Sequence, residues 1–212
     1  MKLKKGGSII DPDSWSDPVM ILKKDGSPLS KGAISLDMTY LKSGNGSYVV
    51  WSYREGIGHP HDTGSMLCIA SIDEKDPHKL TSDPVHLSRP LYGWENVEGT
   101  INNEAPYAFI RNGKINLTYS GGAANGYTYA VGLFTADEHA DLLDLTSWTK
   151  SPTPILNFYL VPEFGPGHNS FFTDEDGDLM IAYHGETDME SHLRCDMIRK
   201  VFFKEDGTPY FR

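Results

Sequence analysis

Three stretches of this chain repeat one pattern: a short strand, a tight polar turn, then a second strand ending in an aromatic residue followed by a small or polar one. They are Ile34 to Ser52 turning at Asn45-Gly46, Asn103 to Ser120 turning at Asn112-Gly113, and His168 to His184 turning at Asp176-Gly177. Asn-Gly and Asp-Gly tolerate the positive φ that tight antiparallel connections need, so each stretch predicts a hairpin. Third strands are predicted to follow at Met66 to Ile72, Tyr129 to Thr135 and Leu193 to Phe203. The period is regular: Asp37 and Glu104 lie 67 positions apart, Glu104 and His168 64, and Trp51, Tyr119 and Tyr183 recur at nearly the same interval. Units of three or four strands, none able to bury both faces alone, stack around an axis as the blades of a propeller. The predicted fold class is all-β, a β-propeller with about three blades in this chain.

In a propeller the innermost strand of each blade lines the central channel. Asp37, Glu104 and His168 occupy similar places on the first strands of their units, so three titratable residues distant in sequence are expected to converge on one pocket. The plainer alternative makes them exposed residues at strand starts.

Composition supports short strands joined by turns, since 21 Gly and 13 Pro punctuate a chain rich in Tyr, Phe and Trp. A net charge of −10 repels a phosphate backbone and argues against nucleic acid as a partner. No stretch reaches the roughly 18 apolar residues of a membrane span, so a membrane is not expected as a partner. Met1 to Gly7 lacks the apolar segment of a secretory signal, from which a cytoplasmic protein is expected. Cys68 and Cys195, in apolar strand-like segments, are read as free thiols.

The segments Ile34-Ser-Leu-Asp-Met-Thr, Asn102-Asn-Glu-Ala-Pro, Tyr119-Ser, Ala140-Asp-Leu-Leu-Asp with Ser147-Trp-Thr-Lys-Ser-Pro, Gly165-Pro-Gly-His-Asn-Ser-Phe and Ala182-Tyr-His follow in order. Together they resemble glycoside hydrolase family 43, in its arabinofuranosidase and β-xylosidase branch. The resemblance implies a five-bladed β-propeller that hydrolyses terminal α-L-arabinofuranosyl or β-D-xylosyl residues of plant-type oligosaccharides with inversion. It implies Glu104 as the general acid and Asp37 as the carboxylate that orients that acid and tunes its protonation. His168 matches the residue that some members use to hold a water-ligated metal, so calcium is the one cofactor implied. Arg194 matches an arginine that contacts substrate.

These residue types suit the chemistry. Glycoside cleavage needs a proton for the leaving oxygen and an activated water on the opposite face of the sugar, and two carboxyl groups in unlike environments supply them. A second carboxylate nearby makes loss of the acid's proton harder. Trp51 and Trp94 are candidates to stack on a sugar ring, with Trp94, in Gly-Trp-Glu-Asn ahead of Glu104, the better pocket wall. His59 and His61 are expected in a solvated loop.

The chain departs from the family pattern in three ways. Only 36 residues precede Asp37, so the family's general base, an aspartate at the start of the first blade, cannot be carried to any residue here. Residues 1–34 read as the remnant of a preceding blade and a linker within a single, partial propeller domain spanning 1–212. Ala105 stands where the family usually has glycine. Open sheet edges in an incomplete propeller invite association, so a homo-oligomer is a candidate state. A propeller that only binds carbohydrate is the alternative to an enzyme.

Overall fold

Each of the three repeats opens an antiparallel sheet. The computed structural model describes residues 1–30 and 32–212, with Glu98 described in its backbone only. The first sheet runs β1 (Ala33–Ser43), β2 (Gly46–Glu55), β3 (Met66–Asp73) and β4 (Asp76–Leu80), with β5 (Val85–His86) also pairing β3. The second runs β6 (Asn103–Arg111), β7 (Lys114–Gly121), β8 (Ala130–Asp137) and β9 (Thr149–Lys150). The third is β10 (Phe164–Thr173), β11 (Leu179–Glu186) and β12 (Arg194–Lys200), and β13 (Phe202–Phe203) pairs β14 (Pro209–Tyr210) in a short ribbon. The predicted hairpins and third strands are therefore present. At Asn112 and Gly113 φ is 50° and 76°, the pair of positive values that a two-residue hairpin turn with matching twist requires.

Period-two alternation decides what each sheet buries. Val50, Leu67 and Ile69 of the first sheet meet Ile115, Leu117 and Phe134 of the second in one apolar cluster. Val131 and Leu133 of the second sheet meet Phe171, Ile181 and Tyr183 of the third in another. Trp51, Val49, Cys68 and Ala70 point to the opposite face of the first sheet, where Leu29 and Ile21 cover them. The early segment thus lies against the first sheet, and Leu22 forms a parallel bridge with Lys79 of β4. Both cysteines are free, as expected, and burial pushes the Cys68 thiol up to about 12.

The three innermost strands share a defect. β1 slips register between Leu36 and Thr39, β6 between Glu104 and Tyr107, and β10 between Gly167 and Ser170. The first unpaired residue of each bulge is left-handed: Asp37 at φ 54°, Ala105 at 50° and His168 at 50°. The true structural equivalents are therefore Asp37, Ala105 and His168, which corrects the sequence alignment by one residue. Glu104 sits one step earlier, opposite Ser120, where the other strands carry Leu36 opposite Ser52 and Gly167 opposite His184. Bulges re-aim side chains and are common beside active sites.

Candidate functional site

The three bulges line one cavity of about 310 Å³, whose wall includes Asp37, Thr39, Ala105, Tyr107, His168 and Asn169. Of the three titratable residues expected to converge on one pocket, Asp37 and His168 line this cavity, whereas at the second strand it is Ala105, not Glu104, that does. Asp37 is mostly buried, its side chain 15% exposed, and His168 Nε2 lies 3.9 Å from its Oδ1. Asp37 Oδ2 accepts the Ser52 hydroxyl at 3.0 Å and the Ala105 N–H at 3.2 Å. That N–H belongs to the peptide joining Glu104 to Ala105, so the two carboxylate-bearing residues are fastened through a single amide.

Adjacent sheets are pinned in the same way twice. Ser52 Oγ also accepts the Ala105 N–H at 3.0 Å, and Ser120 Oγ accepts the His168 N–H at 2.8 Å. Each serine faces the bulge of the following sheet, and its hydroxyl satisfies an amide that the bulge has removed from the ladder. His184 holds the corresponding place on β11. Both of its ring nitrogens lack a partner, and burial, with help from the Arg194 and His168 charges, lowers its pKa to about 4.

Glu104 Oε1 accepts a hydrogen bond from the Tyr129 hydroxyl at 2.6 Å. Burial first, then the Glu104 charge, pushes the Tyr129 phenol well above its ordinary range, so it is a permanent donor at working pH. Its ring lies flat against His184 at 5.5 Å and 6°. Gly167 is glycine because of that ring: a Cβ there would meet Tyr129 Cε1 at 2.2 Å. Sequence reasoning did not single out Tyr129; the available signal was a tyrosine beginning a strand one unit from the Gly-Pro-Gly-His segment.

Arg54 was likewise missed. Its guanidinium holds Asp62 in two parallel bonds of 2.9 and 2.7 Å, and the Glu104 charge contributes to keeping it protonated. Asp62 in turn accepts the Gly58 and Gly64 amides, bracing the loop that carries His59 and His61. Arg54 and these amides hold the Asp62 carboxyl well below the usual range. His59 and His61 are exposed, as expected of a solvated loop.

Other expected site residues fall differently. Trp51 is corrected to a core residue, 1% exposed, because alternation along β2 turns it away from the face that Ser52 presents. Trp94 is partly buried; its Nε1 donates to the Pro152 carbonyl, and its ring lies over Gly121, where a Cβ would meet it at 2.7 Å. Arg194 is exposed and reaches the Ala124 carbonyl, in the turn ahead of Tyr129. No group of three or more His, Cys, Asp or Glu that could hold a metal occurs among the described residues. His168, Asp37 and the unpartnered Asn169 Oδ1 are what the cavity offers a cation.

Behind Glu104 lies a buried polar hub. Glu95, fully buried, pairs with Lys150 at 2.5 Å and accepts from the Tyr119 hydroxyl at 2.8 Å and Asn103 Nδ2 at 2.9 Å. It fixes the loop carrying Trp94 to the strand carrying Glu104.

The family model described as glycosyl hydrolases family 43 matches residues 9–209. The chain belongs to glycosyl hydrolases family 43. It is similar to an extracellular exo-α-(1→5)-L-arabinofuranosidase of Streptomyces chartreusis, 40% identical over 152 residues, covering 71% of this chain and 44% of that protein. A protein of the same name from Streptomyces avermitilis is 32% identical over 207 residues, covering 93% of this chain and 40% of that protein. The chain thus spans less than half the length of these curated relatives. Among solved structures, an α-L-arabinofuranosidase from Lactobacillus brevis superposes with a TM-score of 0.80 at 34% identity, over 95% of this chain and 61% of that one. The fold is accordingly the family's β-propeller, with three of its blades formed by the sheets described here.

The cytoplasmic expectation is corrected by these relatives, two of which are named as extracellular, pointing to secretion. It rested on seven residues without an apolar run, and those residues inform only about themselves. No helix among the described residues is long and apolar enough to cross a membrane.

Proposed function

We propose that this chain carries the acid half of a glycosidase site that removes terminal α-L-arabinofuranosyl residues from plant-type oligosaccharides with inversion. Glu104 protonates the departing oxygen. Asp37 orients it. The observation that carries this reading is the fastening of Asp37 Oδ2 to the Glu104–Ala105 peptide N–H, with Tyr129 bonded to Glu104 Oε1. Oε1 is already engaged as an acceptor, so Oε2 is the oxygen left to carry and deliver the proton. Positioning of this kind converts a carboxyl group into a directed acid.

His168, beside Asp37, contacts the sugar or holds a water-bound calcium, which also takes the Asn169 Oδ1 orphaned in the cavity. Calcium is a hard cation that favours oxygen donors, so Asp37 and Asn169 Oδ1 would be the protein groups to hold it, with water, and it would supply positive charge near the sugar. Chelation is expected to lower sugar affinity, read as the difference between titrations with and without EDTA, and equal affinity in the two would remove the ion.

The test is hydrolysis of nitrophenyl α-L-arabinofuranoside and nitrophenyl β-D-xyloside by the purified chain and by Glu104→Gln. For α-1,5-linked arabinobiose, whose departing sugar alkoxide is a poor leaving group, turnover is expected to fall about 100-fold or more in the variant, on the order of general acid contributions, and to fall less for the nitrophenyl arabinoside. Arabinobiose turnover unchanged in Glu104→Gln would remove the acid assignment. Preference for the xyloside would move the substrate to β-D-xylosyl residues, and binding of arabino-oligosaccharide without product would make this a binding module.

A further inference from the structure

On the face of the first sheet that carries Trp51, two sulfurs and an imidazole come together. Met66 and Cys68 stand two positions apart on β3, so alternation puts both side chains on one face. His86, on β5, is paired directly with Cys68 and shares that face. Its Nδ1 lies 2.7 Å from Met66 Sδ and 3.9 Å from Cys68 Sγ. Met66 and Cys68 are buried, whereas His86 is exposed. Cys68 and His86 line a cavity of about 260 Å³ together with Trp51, Tyr53 and Glu55.

The chemistry of this cluster selects a ligand. Thioether and thiolate sulfurs are soft donors, and a set of one imidazole, one thiol and one thioether suits monovalent copper rather than the hard cations that carboxylates take. Geometry agrees. With bonds of the length found in zinc sites, about 2.0 Å to nitrogen and about 2.3 Å to sulfur, two such donors on one ion stand roughly 3.5–3.7 Å apart. The His86–Cys68 separation is close to that value. Met66 has to draw back by about 1 Å, which its unbranched chain of three rotatable bonds allows. A second observation points the same way. The Trp51 side chain is 1% exposed, and its indole N–H has no acceptor, on the cavity wall and cross-strand from Cys68. A neutral thiol is a weak acceptor, whereas a metal-held thiolate is a charged one. A plain N–H···S contact at His86 would leave that indole orphaned.

We propose that Met66 Sδ, Cys68 Sγ and His86 Nδ1 form a three-coordinate site for one monovalent copper ion, entered through the cavity beside His86. On binding, the Cys68 S–H bond breaks, its proton passes to water, and the sulfur electron pair forms the bond to copper, with no change of oxidation state. The charges of ion and thiolate cancel, so the pair is tolerated in a buried place. The ion ties β5, a strand of two residues, to β3. Its effect falls on the stability of the first sheet, and nothing in it draws on the assignment of Glu104.

The experiment is an anaerobic competition for Cu(I), kept reduced by ascorbate, between the whole chain and the colorimetric chelator ferrozine, for wild type, His86→Gln, Met66→Leu, Cys68→Ser and Cys195→Ser. Wild type and Cys195→Ser are expected to withdraw one equivalent of copper, and Cys68→Ser none. His86→Gln and Met66→Leu are expected to bind at least about tenfold more weakly, since even groups that only support a ligand are worth that much. His86 is exposed, so His86→Gln keeps the fold even where a buried substitution does not, and melts without copper verify it. In melts with one equivalent of Cu(I), the wild-type midpoint should rise and that of His86→Gln should stay where it was. Wild-type affinity in either His86→Gln or Met66→Leu, binding that disappears with Cys195→Ser, or no withdrawal of copper by wild type overturns the site.

Discussion

The middle sheet and the third sheet carry the same hairpin but live in different surroundings. The middle sheet is covered on both sides: Ile115 and Leu117 are fully buried toward the first sheet, and Val131 and Leu133 are buried toward the third. Within this chain the third sheet is covered on one face. Every residue of β12 is at least partly exposed, Ile198 reaches 61% and Phe172 40%. Glu104 and its donor Tyr129 belong to, or directly abut, the clamped sheet, whereas His168, His184 and Arg194 belong to the open one. Glu104, proposed as the acid, is thus on the sheet that this chain covers on both faces, and His168, His184 and Arg194 are on the other.

The sharpest test of that contrast is the polar hub under the middle sheet. Lys150→Met strips the buried Glu95 of its cation and is expected to cost about 3–5 kcal/mol, measured by urea unfolding, because an uncompensated buried carboxylate remains. A loss below 1 kcal/mol would mean that the hub does not set the rigidity assigned to it. Next come paired apolar truncations: Leu117→Ala should cost about 3 kcal/mol and Ile198→Ala within about 0.5 kcal/mol, by the same assay. Similar costs at both positions would erase the contrast.

Tyr129→Phe keeps the ring packed against Gly167 and removes only the hydroxyl bonded to Glu104. Turnover should fall roughly ten- to a hundredfold, the worth of a hydrogen bond to a charged group, with little change in melting temperature. The open sheet should report on pH instead. The His184 pKa falls from 6.5 to about 4 on folding, so between those values the unfolded chain binds more protons than the folded one. Stability is therefore expected to decline as pH falls from about 6.5 toward 4, and His184→Gln should flatten that slope in unfolding curves taken across the window. The smallest effect is at the bulge of β6: Ala105→Gly should add about 0.5–1 kcal/mol by relieving a left-handed alanine.

Much of this was legible in the residues. Asn112-Gly113 announced its hairpin because few other pairs accept two positive φ values, and the recurring spacing announced separate sheets around a channel. The one-residue error in aligning Glu104 with Asp37 and His168 has a plain cause. A bulge is a change of pairing, and no side chain in Asn103-Glu-Ala-Pro marks it; the left-handed residue turned out to be Ala105, the least suited of its neighbours to show it. Trp51 was misplaced because an aromatic near a site and an aromatic in a core look alike until the facing of each strand is known. Arg54 and Tyr129 were missed because they act through partners 8 and 25 positions away, Asp62 and Glu104, that only the fold brings together.

The serine pins between sheets separate two properties that are entangled in many enzymes. Ser52 and Ser120 fix the bulges that carry Asp37, Ala105 and His168 through backbone amides, while the turn holding Phe158 and the exposed Tyr159 lines a separate depression. Sequence can therefore drift in that turn without disturbing the amides that tie one sheet to the next, so the surface of such a propeller and the spacing inside it are free to change at different rates.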